Sequence, residues 1–282
     1  MNRSALPRAS IVTQMLAALV AVLALAGCAG GPGAARQTPV AVPGSELKDR
    51  ITASDEPENM KRARTRTELA AAYFGRGEMT TALDQIKLAI LADPTSGDAF
   101  NLRGLIYANL GDHALAEESF RRALALKPRD PDAMQNFGWY LCQQNRFPEA
   151  DGYFTQALSV PQYREVPRTL LAQGVCQARA GRLAESETTL SRSYELDPGN
   201  AATAVNLSEV LYRRGEYERA RFYVRRVNSV REVSNAQTLW LAARIENRLG
   251  NRNGVQDFGT QLRNRFPDSR EASSYLRGAF DE

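Results

Sequence analysis

The groups on which catalysis, metal binding or covalent attachment would rest are few. The 282 residues hold three cysteines and a single histidine. His113 stands in the turn Gly111-Asp112-His113. A metal site or proton relay needs a second ligand or titratable group nearby, and no other His or Cys lies beside it in sequence. A solvated ring is expected there, with no catalytic or metal role. Adjacent carboxylates such as Glu117 and Glu118 read as solvated helix faces. No glycine-rich phosphate loop follows a strand, because no strand pattern is present. No catalytic residue, metal ligand, cofactor or small-molecule substrate is expected, and the chain reads as non-enzymatic.

Cys28 is the exception, because its surroundings suit one covalent reaction. Arg3 and Arg8 open a positive segment, and an apolar run from Ile11 to Ala26 follows. That run is short for a membrane span and right for a signal segment. It ends in Leu25-Ala26-Gly27-Cys28, small residues before one cysteine. This resembles a bacterial lipobox, which implies cleavage before Cys28 and attachment of acyl chains to it. An ordinary signal peptide with an incidental cysteine is the other reading. Each buried CH₂ of an acyl chain contributes about 0.8 kcal/mol, so two or three chains hold a protein firmly to a bilayer. Ala29 follows where an Asp would favour retention at the inner membrane, and the resemblance therefore implies the periplasmic face of the outer membrane.

Residues 1–27 are thus expected to be a lipoprotein signal peptide. Residues 28–58 are rich in Gly, Pro, Ala and Ser without apolar periodicity, and read as a flexible tether. The whole chain has a formal charge of +4, with 36 basic and 32 acidic side chains. Removal of residues 1–27 takes away two arginines and no acid, leaving +2. So balanced a charge gives no support for a nucleic-acid partner.

Residues 59–282 have to position whatever remains. The stretch 101–128, NLRGLIYANLGDHALAEESFRRALALKP, sets the pattern. Small residues (Gly104, Ala116, Ala123) and large ones (Phe100, Tyr107, Phe120) sit at fixed offsets, and Pro128 closes the unit. This is the tetratricopeptide (TPR) repeat, a helix–turn–helix of about 34 residues. Units are expected at 63–96, 97–130, from 131 with a short insertion before Pro167, 167–200, 201–234 and 236–269. Ser186 and Ser193 replace the usual Ala in the fourth. Gly259 stands where a large residue is usual, so the sixth fits worst. Residues 270–280 read as a capping helix, needed because a terminal unit has no neighbour on its outer face. Glycines at 77, 111, 181, 215 and 250, and Asn145 in the third unit, mark the turn inside each pair, where a left-handed residue ends the first helix. The fold expected is an all-α TPR solenoid whose first helices line a concave surface.

That frame brings further residues together. Cys142 and Cys176 fall on adjacent first helices at about the same level. In an oxidising compartment such a pair forms a disulfide, here pinning the junction with the insertion; two buried free thiols are the alternative. Phe74, Trp139, Tyr212 and Trp240 are phased toward the concave side, where exposed aromatics anchor a bound peptide or helix. Packing between adjacent helices is the competing reading. Positions where carboxylate-binding repeats carry Lys and Asn hold Thr67, Asn101, Gln135 and Leu171, so a chaperone-tail receptor is not expected.

The block Gln135-Asn136-Phe137-Gly138-Trp139-Tyr140-Leu141-Cys142-Gln143 departs from a generic repeat. With Pro161-Gln162-Tyr163, Gly174-Val175-Cys176, Arg221-Phe222-Tyr223, Leu239-Trp240-Leu241-Ala242-Ala243 and Arg265-Phe266-Pro267-Asp268-Ser269, it resembles the type IV pilus biogenesis and stability lipoproteins of the PilW/PilF family. The resemblance covers about residues 60–275. It implies an outer-membrane pilotin that binds secretin subunits and promotes their localisation and multimer assembly, supporting pilus biogenesis and twitching motility. A TPR lipoprotein scaffold for another envelope complex is the alternative.

Overall fold

A computed structural model describes residues 55–281; the signal segment, Cys28 and nearly all of the tether lie outside them. The described residues form thirteen α-helices and no strand. Six antiparallel pairs follow one another: α1 (Glu58–Gly75) with α2 (Met79–Ala92), α3 (Gly97–Leu110) with α4 (His113–Leu126), and α5 (Pro131–Gln143) with α6 (Phe147–Leu158). Next come α7 (Val166–Arg179) with α8 (Leu183–Leu196), α9 (Ala201–Arg213) with α10 (Tyr217–Asn228), and α11 (Ala236–Arg248) with α12 (Arg252–Arg265). The single helix α13 (Arg270–Arg277) ends the series. None of the described helices is long and apolar enough to cross a membrane.

The size alternation seen in the sequence is what brings each pair together. A Cβ at Gly104 would stand 2.8 Å from the Phe120 ring, one at Gly138 3.0 Å from Phe154, and one at Gly174 2.6 Å from Leu190. The missing side chain on the first helix is the space filled by the large one on the second. Phe120, Phe137 and Phe154 are fully buried. Each such burial is worth about 1.5–3 kcal/mol relative to exposure. The turn residues fit the same account: Gly111 has φ 84° and Asn145 φ 60°, the left-handed conformation that ends a helix. Side-chain caps start several first helices, from Ser96, Asp130, Asn200 and Asn235, the last forming a reciprocal capping box with Thr238.

Successive first helices touch one another, α1 to α3 and so on through α11 to α13, whereas the second helices touch only first helices. The first helices are therefore the inner, concave layer and the second helices the splayed outer layer.

Three departures from the pattern have local causes. Ser186 and Ser193 are buried and donate hydrogen bonds to the carbonyls of Gly174 (2.7 Å) and Pro167 (2.8 Å), so each hydroxyl ties α8 to α7. The insertion after α6 turns at Gln162 (φ 62°), and the Tyr163 hydroxyl bonds Thr169 at 2.9 Å. Gly259, expected to be a misfit, is a socket: a Cβ there would collide with the ring of Tyr275 on α13. The sixth unit lacks a large residue at that place because the capping helix supplies one.

Candidate partner-binding groove

Phe74 at the end of α1 and Trp139 on α5 line a single open groove with Leu105 on α3 and Leu171 and Val175 on α7. Both aromatics are partly exposed. Amides flank this apolar floor: Asn109, Gln135, Asn136, Gln143 and Asn206, with Arg168 as the cation. Asn136 donates to Asn101 at 3.2 Å. Gln135 is 5% exposed, and its Oε1 has no hydrogen-bond partner. An unpaired buried acceptor carries a desolvation cost of about 1–3 kcal/mol.

The other two aromatics expected in this groove are placed elsewhere. Tyr212 is only 7% exposed, held in the core beside Tyr217 with the Arg244 guanidinium over its ring at 4.6 Å. Trp240 is stacked under Phe280, ring centroids 5.2 Å apart. Of the four aromatics expected on the concave side, Phe74 and Trp139 share this groove, Trp240 is partly exposed outside it, and Tyr212 is buried, which corrects its expected place as an open anchor. Phe280, which follows the last repeat, stacks on Trp240 and leaves it partly exposed, and Arg244 of a neighbouring first helix covers Tyr212.

Cys142 and Cys176 face each other across α5 and α7, their Cα atoms 5.8 Å apart, and are joined as a disulfide. Both are buried in the cluster beneath Trp139 that also contains Phe120, Phe137 and Phe154. The link ties together two helices of the groove floor.

Buried and half-buried charges tie neighbouring units together. Glu246 on α11 is fully buried, yet it meets Arg225 of α10 at 2.6 Å and accepts from Asn251 at 2.7 Å. Glu117, read from the sequence as a solvated carboxylate, bridges Arg121 (2.6 Å) and Arg146 (2.7 Å), and Arg146 also grips Glu149 (2.6 Å). Burial raises the Glu117 carboxyl, but the hydrogen bonds from Arg146 and Arg121 outweigh it and hold the group below the ordinary carboxylate range. Glu149 is lowered as well, chiefly by its hydrogen bond from Arg146. These ion pairs join the second unit to the third.

His113 sits 3.3 Å from the Gln144 amide, and its carbonyl accepts from the Tyr140 hydroxyl at 2.9 Å. No group of three or more His, Cys, Asp or Glu among the described residues could hold a metal. The geometry offers a surface for a chain to lie in, with apolar anchors, amide hydrogen-bonding groups and one cation.

Comparisons with known proteins bear on the fold and the family. Two tetratricopeptide-repeat family profiles match, over residues 95–162 and 136–201. A Pseudomonas aeruginosa protein described as "Type IV pilus assembly protein PilF" is 26% identical over 208 residues, covering 74% of this chain and 82% of its own length. The crystal structure of PilW, described as a widely conserved type IV pilus biogenesis factor, superposes with a TM-score of 0.72 at 32% identity, covering 76% of this chain and 98% of PilW. A solved structure of Pseudomonas aeruginosa PilF shares the fold, with a TM-score of 0.69 at 24% identity. On the strength of that shared architecture and of the likeness to PilW over nearly its whole length, the chain belongs to the PilW/PilF family of tetratricopeptide-repeat type IV pilus biogenesis proteins.

Proposed function

We propose that this protein is a non-enzymatic, lipid-anchored pilotin of the outer membrane that captures secretin subunits in its concave groove and promotes their assembly into the multimer through which the type IV pilus emerges. The observation that carries the reading is the groove at Phe74 and Trp139, in a chain related to pilus biogenesis proteins. Two partly exposed aromatics anchor a partner segment, and the accessible amides around them hydrogen-bond its main chain. Acyl chains on Cys28 keep the groove at the membrane. Tethering raises the effective concentration of a captured subunit where assembly takes place.

A deletion strain tests the reading. Loss of both secretin multimers and twitching motility, restored by the wild-type gene, is the expected result. Replacing Cys28 by Ser is expected to leave a folded protein and a mislocalised secretin. Normal pili and multimers in the deletion strain would contradict the proposal and favour a scaffold for another envelope complex.

A further inference from the structure

The covering of Trp240 has a chemistry of its own. After α13 the chain turns back at Gly278, which adopts φ 69°. Residues 279–281 then lie against the first helix α11. The Phe280 ring stacks on Trp240, and its carbonyl accepts a 3.4 Å hydrogen bond from Arg244. Asp281 pairs with Arg248 at 2.7 Å. Arg244 and Arg248 also join Tyr212, the first over its ring and the second 3.5 Å from its hydroxyl. One aromatic shelf, two guanidiniums and a ring between them are thus occupied by an aromatic residue followed by a carboxylate.

The occupant is lightly held. Asp281 is 80% exposed, and the Arg248 side chain is 43% exposed. Exposed ion pairs contribute little to stability. The hydrogen bond at 3.4 Å is long, so α11 holds the segment mainly by ring stacking, while the Ala279 N–H bond to the Ser274 carbonyl (3.0 Å) and an edge contact of Phe280 with Tyr275 tie it to α13. The surface beneath is, by contrast, fixed: Leu241, Ala242 and Ile245 on the same helix are buried. A weakly held segment on a rigid, complementary surface is suited to exchange.

We infer that this end of the concave layer is a second binding site, for a partner segment bearing an aromatic residue next to a carboxylate, and that residues 279–281 are its resident, displaceable occupant. The site lies on α9 and α11 and shares none of its residues with the groove at Phe74 and Trp139, although Asn206 of α9 flanks that groove. The inference does not depend on a secretin partner.

The test uses the full chain and a fluorescently labelled peptide of sequence Gly-Ala-Phe-Asp-Glu, followed by anisotropy. Removing the occupant's contacts with the double substitution Phe280→Ala and Asp281→Asn is expected to tighten peptide binding about tenfold, because a site occupied most of the time lowers apparent affinity by the open fraction. Adding Trp240→Ala to that variant is expected to abolish the gain, Arg248→Ala to reduce it only modestly, and a peptide with Phe replaced by Ala is expected to bind neither form. Wild type and double variant binding the peptide equally would overturn the inference. So would a gain that survives Trp240→Ala. Trp240 emission in a Trp139→Phe background supplies a second reading: the double substitution should shift it to the red and make it more open to iodide quenching. An unchanged spectrum would contradict the displaceable stacking.

Discussion

At the scale of single residues, the structure turns on charges whose partners lie far away in sequence. Glu246 is buried and depends on Arg225, 21 positions earlier, and on Asn251. Charge-assisted hydrogen bonds to a buried carboxylate are costly to lose, so Arg225→Ala should destabilise the chain by about 1–3 kcal/mol in urea unfolding. A change below about 0.5 kcal/mol, the range of ordinary surface substitutions, would remove Arg225 from that role. Glu117 makes a pH prediction. Its folded pKa lies below the ordinary value, so its contribution is present above about pH 4.3 and is lost as pH falls through the lowered value. Glu117→Gln should therefore lessen the fall in stability between pH 7 and about pH 3; an unchanged acid profile would show that the bridge to Arg146 contributes nothing. Neither partnership was legible in the sequence. A glutamate on a helix reads as solvated unless the opposing arginine is known, and Arg146 belongs to the next unit.

At the scale of elements, small residues are recesses for specific neighbours. Gly104, Gly138 and Gly174 could be read in advance because the large residue that each receives recurs at a fixed offset. Gly259 could not, because its ring comes from the capping helix and follows no repeat. Gly259→Ala should displace Tyr275 and cost about 1–3 kcal/mol, with faster hydrogen exchange in α13 than in α11. Exchange in α13 equal to that of the wild type would contradict the socket. The disulfide belongs to this scale too. Cys142 and Cys176 are 34 positions apart, one repeat length, which sets them level on neighbouring first helices. Replacing both by Ala should cost about 2–4 kcal/mol, measured against the oxidised wild type. Equal free-thiol titres of denatured protein with and without reductant would contradict the bridge.

At the scale of the whole molecule, the described residues form one concave layer of first helices with two separate aromatic stations. The repeat boundaries were legible because the period and a left-handed turn residue recur in every unit, with a closing proline in most of them. The groove was half legible. Phe74 and Trp139 follow the repeat phase into open surface, whereas Tyr212 shares that phase and is buried and Trp240 shares it with the Phe280 ring stacked on it. Their covers come from Arg244, on a neighbouring first helix, and from Phe280, beyond the last repeat. Phase tells which way a side chain points; it does not tell what already lies there.

The measurement that bears most directly on the groove is the affinity of the purified protein for a purified secretin subunit, with Phe74 and Trp139 both replaced by Ala. Truncating two anchoring aromatics should weaken binding by about 2–4 kcal/mol, roughly thirtyfold to a thousandfold, while the melting temperature stays within a few degrees of wild type. Unchanged affinity in a folded double variant would place the secretin, if it binds at all, somewhere other than this groove.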